Sequence, residues 1–174
     1  GVGLVGSQFI TTIHAEALRS VPQAKVLAVM SPTTGHARDF ASKHGIAHHF
    51  EDLDAMLAMD EIDMVVVGAP NFTHCEITVK AANAGKHVVV EKPLCLNLAD
   101  ADRMIAACDQ AGVKLMYAEE LCFTPKYVRL KQLLDDGVLG RPVLFKQSEK
   151  HDGPHAAWFW DTARGGEILV DIAS

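Results

Sequence analysis

A chain of 174 residues, 49% apolar and 6% aromatic, is long enough for one ordinary hydrophobic core and the start of a second group of elements. Its formal net charge is −6, with Lys and Arg scattered, which excludes a phosphate-tracking stripe for nucleic acid and a polybasic membrane patch. No apolar run approaches the roughly 20 residues that span a bilayer, nothing reads as a secretory leader, and four cysteines without C-x-x-C spacing read as core residues of a reducing, cytoplasmic compartment with no metal site.

Short valine-rich runs alternate with amphipathic stretches, the pattern of repeated βαβ units around a parallel sheet. Strands are expected at Val2 to Val5, Val26 to Met30, Ala47 to Phe50, Asp63 to Gly68, His87 to Glu91 and Lys114 to Ala118. The opening letters GVGLVG satisfy the dinucleotide-binding pattern G-x-G-x-x-G. That pattern works only between a strand and a helix, because the pyrophosphate sits on the helix N-terminus. With Val2 to Val5 as the strand, the phosphate turn moves to Gly6-Ser7-Gln8-Phe9-Ile10-Thr11. Gly6 then supplies the tight turn, while Gln8 and Thr11 stand where two further small residues are usual. Gly1 and Gly3 are left to close packing.

In the helix that follows, Ile10, Ile13, His14, Ala17 and Leu18 fall at helical spacing, and His14 reads as a packed histidine or one near the cofactor. After the second strand, Thr33 or Thr34 is expected to cap a helix reaching Lys43 and stopped by Gly45. No carboxylate lies between Glu16 and Asp39, so the usual acidic partner of the adenosine ribose is missing. Its absence would tolerate a 2′-phosphate, for which Ser31, Thr33 and Arg38 could donate, and this leans the reading towards NADP over NAD. Asn71 or Thr73 opens the next helix, which runs to Asn83 and stops at Gly85, and Asn97 caps another ending near Gly112. Right-handed crossovers then make residues 1–120 a doubly wound parallel α/β sheet.

Beyond Glu120 the texture changes. Pro125 starts an amphipathic run to Asp136, Gly137 stops it, and Val143 to Ser148 reads as a strand. Residues 121–174 are expected to begin a second α+β domain that they are too few to complete. Its loop Lys150 to Trp160 offers His151 and His155 as donors and Trp158 and Trp160 as stacking faces for a sugar, or else a domain interface.

Residues 85–98, GKHVVVEKPLCLNL, resemble the Gfo/Idh/MocA oxidoreductases, which carry G-K-H-V-x-x-E-K-P at the end of the fifth strand. Gly68-Ala69-Pro70-Asn71 through His74 and the run Gly165-Gly166-Glu167 to Asp171 extend the similarity. From chemistry alone, a Glu and a Lys at the carboxyl end of a buried parallel strand lie in the crevice where such sheets bind ligands. The resemblance implies an NAD(P)-binding Rossmann domain followed by a substrate and oligomerisation domain, and a homo-oligomer when full length. It implies that Lys92 touches the nicotinamide ribose and the substrate hydroxyl, that Glu91 holds the ribose, and that Pro70 and Asn71 flank the nicotinamide. His74 joins that cofactor loop, and Asp171 contacts a substrate hydroxyl. The activity implied is hydride transfer between nicotinamide and a secondary alcohol of a sugar, polyol or cyclitol. The alternatives are an NAD-dependent glycoside hydrolase of the same family and a non-catalytic cofactor-binding regulator. The family's histidine base falls just past Ser174, and Glu167 replaces a glycine, so residues 1–174 alone are expected not to turn over.

Overall fold

Six apolar runs become six parallel strands in the computed structural model, which describes residues 1–148 and 157–165. They are β1 (Val2–Val5), β2 (Val26–Met30), β3 (His48–Phe50), β4 (Met64–Val67), β5 (His87–Glu91) and β6 (Leu115–Ala118). Every pairing is parallel, and the order is β3-β2-β1-β4-β5-β6. The chain winds outward from β1 to β3, then returns to lay β4 against β1. Crossovers leave β1 and β4 in opposite directions, so a crevice opens between their carboxyl ends.

The helices α1 (Phe9–Leu18), α2 (His36–His44), α3 (Leu53–Leu57), α4 (His74–Asn83) and α5 (Leu98–Ala111) make the connections. Alternate strand residues feed two cores. Val2, Leu4, Val29 and Val66 pack with Ala15, Ala37 and Phe40 on one face, and Val5, Met30, Val65, Val67 and Val90 with Met56, Ile77 and Met104 on the other. A strand covered on both faces must be apolar at every position, which is why these segments read as continuous valine runs. Each such side chain contributes about 1.5–3 kcal/mol by burial.

Local signals set most boundaries. Asn97 Oδ1 accepts the Asp100 N–H at 2.9 Å, as expected of a cap. A 3₁₀ turn, Asn71–Thr73, leads into α4, with the Thr73 hydroxyl donating to Pro70 O at 2.7 Å. The short helix α3 was not anticipated, although Asp52 Oδ1 caps it by accepting from Ala55 N–H at 2.8 Å.

Four expectations are corrected. Neither Thr33 nor Thr34 caps α2; the N-cap is Gly35, whose N–H donates to Glu51 Oε1 at 2.9 Å while His36 N–H closes a turn on Thr33 O. The buried residues of α1 are Thr11 and Ala15, and Ile13 and Ala17 face outward, because Thr11 is drawn onto the end of β4. Cys122 is exposed rather than in a core, unlike Cys75 and Cys108. Val143 to Ser148 forms no strand among the described residues; Val143 and Leu144 are 94% and 85% exposed. A strand needs an edge to pair with, and no neighbouring strand is described for it. After β6, a 3₁₀ turn (Glu120–Phe123) precedes α6 (Pro125–Asp135), and Ala157–Trp160 and the helical turn Thr162–Gly165 follow.

Candidate cofactor and active site

The end of β1 carries the chain into a tight turn. Gly6 sits at φ +107°, where a side chain is strained, and a Cβ there would lie 2.4 Å from Gly68 O. Gly6 N–H donates to Met30 O and Gly68 N–H to Val5 O, both at 2.8 Å, so the ends of β2, β1 and β4 are stitched together around the turn. Thr11, where a small residue usually allows helix and sheet to meet, is buried with its hydroxyl 3.4 Å from Gly68 O. A Cβ on Gly68 would come 2.8 Å from that hydroxyl. The close approach is kept, with the missing side chain moved from the helix to the strand it packs on.

Gln8, the N-cap of α1, makes no side-chain cap, and the first turn of the helix holds no acid. Its leading N–H groups therefore present an uncompensated positive end, the condition for holding a phosphate. A cavity of about 610 Å³ opens beside it, lined by Gly6 and Gln8 from the turn, Ser31, Thr33 and His36 beyond β2, and Pro70 beyond β4. That donor set and size suit a dinucleotide's phosphates and ribose.

Of the expected cofactor residues, Gly6, Gln8, Ser31, Thr33 and Pro70 thus meet in one cavity. Arg38 does not line it; its guanidinium is 3.2 Å from the Asp39 carboxylate. The Phe9 side chain is 78% exposed, and Ile10 packs towards Gly68. His36 was missed, and it joins the wall with Nδ1 3.5 Å from Gln8 Nε2. Glu51 was also missed. It arrives from the end of β3 to hold the start of α2, which places a carboxylate beside a loop that contains none of its own.

Deeper in, His74 is fully buried, with Nδ1 2.9 Å from Pro93 O and Nε2 2.8 Å from Ala69 O. It ties the loop after β4 to the loop after β5. Burial pushes its pKa below the ordinary 6.5, opposed by those carbonyl contacts and by the Glu91 charge. Neighbouring Cys75 is pushed up to about 11 by burial, so its thiol is inert at neutral pH.

At the end of β5, Glu91 is buried and uses both oxygens. Oε1 lies 2.7 Å from His14 Nε2, and Oε2 accepts the Lys92 N–H at 3.0 Å. The Lys92–Pro93 bond is cis. His14 is therefore neither a simple core histidine nor part of the cavity wall; it joins α1 to β5. Glu91 and Lys92 lie at the strand next to β4, outside the wall of the 610 Å³ cavity.

Asn71 is buried, and its Nδ2 donates to Gly165 O at 2.9 Å, while the Arg164 guanidinium lies 5.7 Å from the centre of the Phe72 ring. Trp158 is half-buried and Trp160 is 73% exposed. His151, His155 and Asp171 lie outside the described residues. Among those described, no three His, Cys, Asp or Glu side chains gather as metal ligands, and no helix is long and apolar enough to cross a membrane.

Residues 1–119 match the oxidoreductase family with an NAD-binding Rossmann fold known as Gfo/Idh/MocA, and residues 127–174 match a C-terminal domain of the same family. The chain is 32% identical over 153 residues to myo-inositol 2-dehydrogenase of Thermotoga maritima, covering 88% of this chain and 46% of that protein. It is 37% identical over 131 residues to the NADP-dependent scyllo-inositol 2-dehydrogenase of Bacillus subtilis, covering 75% and 40%. Scyllo-inositol dehydrogenase of Lactobacillus casei, solved with NAD(H) and scyllo-inositol, superposes with a TM-score of 0.74 at 30% identity, covering 80% of this chain and 42% of that one. The chain spans about half the length of the curated relatives it matches.

Proposed function

Because this chain belongs to the Gfo/Idh/MocA oxidoreductase family, we propose that it is the dinucleotide-binding part of an NAD(P)-dependent dehydrogenase acting on a secondary alcohol of a sugar, polyol or cyclitol. The observation that carries this is the pairing of an uncapped helix N-terminus on a 610 Å³ cavity with Glu91 and Lys92 at the next strand end. The inositol dehydrogenases among its relatives support the substrate class.

In this reading the turn Gly6 to Ile10 receives the pyrophosphate, and Ser31, Thr33 and His36 receive the adenosine ribose. Pro70 and Asn71 border the nicotinamide. A nicotinamide held there would supply hydride-accepting chemistry. Lys92 would donate a hydrogen bond from its ammonium to the alcohol oxygen and hold the substrate, while the hydroxyl proton leaves to an adjacent base. Asp171 hydrogen-bonds a second substrate hydroxyl and so orients the carbon being oxidised. Trp158 and Trp160 offer apolar faces to the sugar ring, and His151 and His155 offer donors to its hydroxyls.

The choice between NAD and NADP turns on two opposed features. Ser31 and Thr33 admit a 2′-phosphate, whereas Glu51 brings a carboxylate near it and favours free ribose hydroxyls. Homo-oligomer formation belongs to the same reading and is checked by light scattering of the intact protein.

The test is a titration of the intact protein with NAD and with NADP, followed by a screen of inositols, polyols and aldoses for reduced-nicotinamide absorbance. Saturable dinucleotide binding and turnover of at least one polyol are expected. Binding without turnover of any alcohol would leave the regulator, and a burst of bound reduced cofactor without accumulation would indicate the glycoside hydrolase.

A further inference from the structure

The His14–Glu91 contact crosses the fold from the helix proposed to receive phosphate to the strand that leads into Lys92. His14 is one turn and a half into α1, half-buried, with Nε2 2.7 Å from Glu91 Oε1. Glu91 is the last residue of β5, buried, and its other oxygen accepts the backbone N–H of Lys92 at 3.0 Å. Resting on the reading above, we propose that His14 is a positioning residue, which acts through Glu91 to fix the backbone from which Lys92 reaches the substrate.

A carboxylate only accepts hydrogen bonds, so the proton of this contact lies on His14 Nε2, whether the ring is neutral or charged. Without His14, Glu91 would hold a buried carboxylate oxygen with its donor gone. Such an oxygen seeks another donor or water, and rotation of the carboxylate about its terminal bond takes the second oxygen away from the Lys92 N–H. The alternative is that Glu91 is chiefly a ribose ligand. Against this stands the use of both its oxygens within the protein, one on α1 and one on the Lys92 backbone N–H. His14 is also too far along α1 from Gly6 and Gln8 to be part of the phosphate turn itself, and it is not in the cavity wall. Its influence on the reaction therefore passes through Glu91.

Three substitutions in the intact protein separate positioning from packing. His14→Gln places a donor near the position of Nε2, His14→Leu keeps apolar bulk without a donor, and His14→Ala keeps neither. The first readout needs no cofactor: amide hydrogen exchange at Lys92, followed by NMR. The second is kcat for polyol oxidation, beside the dissociation constant for the dinucleotide. Ala and Leu should both accelerate exchange at Lys92. They should lower kcat by about tenfold to a hundredfold, the worth of one hydrogen bond to a charged group. Dinucleotide affinity should stay within about threefold, since the phosphate turn is untouched, and Gln should restore both exchange and kcat. Full restoration by Leu, or Lys92 exchange unchanged in the Ala variant, would overturn the proposal. If the wild-type protein oxidises no polyol, the proposed function fails by that result, and the exchange measurement still decides the role of His14.

Discussion

Residues 1–118 are richer in apolar letters than residues 119–165, and the two regions also use those letters differently. In the first region valines at β1, β4 and β5 vanish into two cores. In the second, α6 buries no residue, and Val138, Val143, Leu144 and Phe145 stand in solvent. The second region meets the first at Asn71 and Phe72, through Gly165 and Arg164. The difference shows that an apolar run acquires a structure from its neighbours. β1 has strands on both sides, and the run at Val143 has none described.

The sharpest way to press on this contrast is at Lys92, where the packed region meets the proposed chemistry. Lys92→Met should reduce polyol-dependent kcat by about a thousandfold, within the range for losing a positioned proton-handling group, while thermal unfolding moves little. A variant that retains activity would remove Lys92 from the reaction.

Next comes the packed core itself. Leu4 is fully buried at the centre of β1, so Leu4→Ala should cost about 3 kcal/mol in denaturant unfolding. A loss below about 1 kcal/mol would mean that β1 is not the central strand it is described to be.

His74 offers a pH version of the same probe. Its pKa lies below the ordinary 6.5 because burial disfavours the charged ring. The unfolded chain then binds the proton more readily than the folded one, so stability should fall as pH drops from 7 through the ordinary histidine range. His74→Gln should flatten that part of the profile. Stability that rises towards acid would mean the two flanking carbonyls win and the ring is held charged.

Smaller still, Glu51→Gln removes the carboxylate beside the loop that follows β2. The ratio of kcat/KM for NADP over NAD should rise by about fivefold, equivalent to roughly 1 kcal/mol. No change would place Glu51 outside the reach of the cofactor. Smallest of all, Leu144→Ser in the exposed run should change stability by under about 0.5 kcal/mol. A loss comparable to that of Leu4→Ala would show that this run is packed in the intact protein and would break the contrast between the regions.

Most of the sheet was legible because its signals are local. Valine runs locate strands within a residue of their bounds, and Gly45, Gly85, Asn97 and Gly112 mark helix ends. What escaped depends on partners brought from elsewhere. Gly35 begins α2 because Glu51 comes from β3 to meet it, which no inspection of residues 31 to 39 reveals. The turn at Gly6, Gln8 and Thr11 looked weakened because the compensating glycine is Gly68, far away in the chain. His14 fell near an apolar stripe, and only the fold supplies Glu91 as its partner. The strand expected at Val143 rests on a local apolar signal, and no strand is described for it to pair with. Asp52, three residues before Ala55 and followed by Leu53, Met56 and Leu57, could have announced α3.

The claim that this chain serves hydride transfer is tested most directly with a polyol deuterated at the carbon to be oxidised, incubated with the intact protein and oxidised NAD or NADP. Deuterium should appear at C4 of the reduced nicotinamide, with one label transferred for each ketone formed. Ketone formed with the label released to water, or a polyol turned over without reduced nicotinamide, would contradict the account.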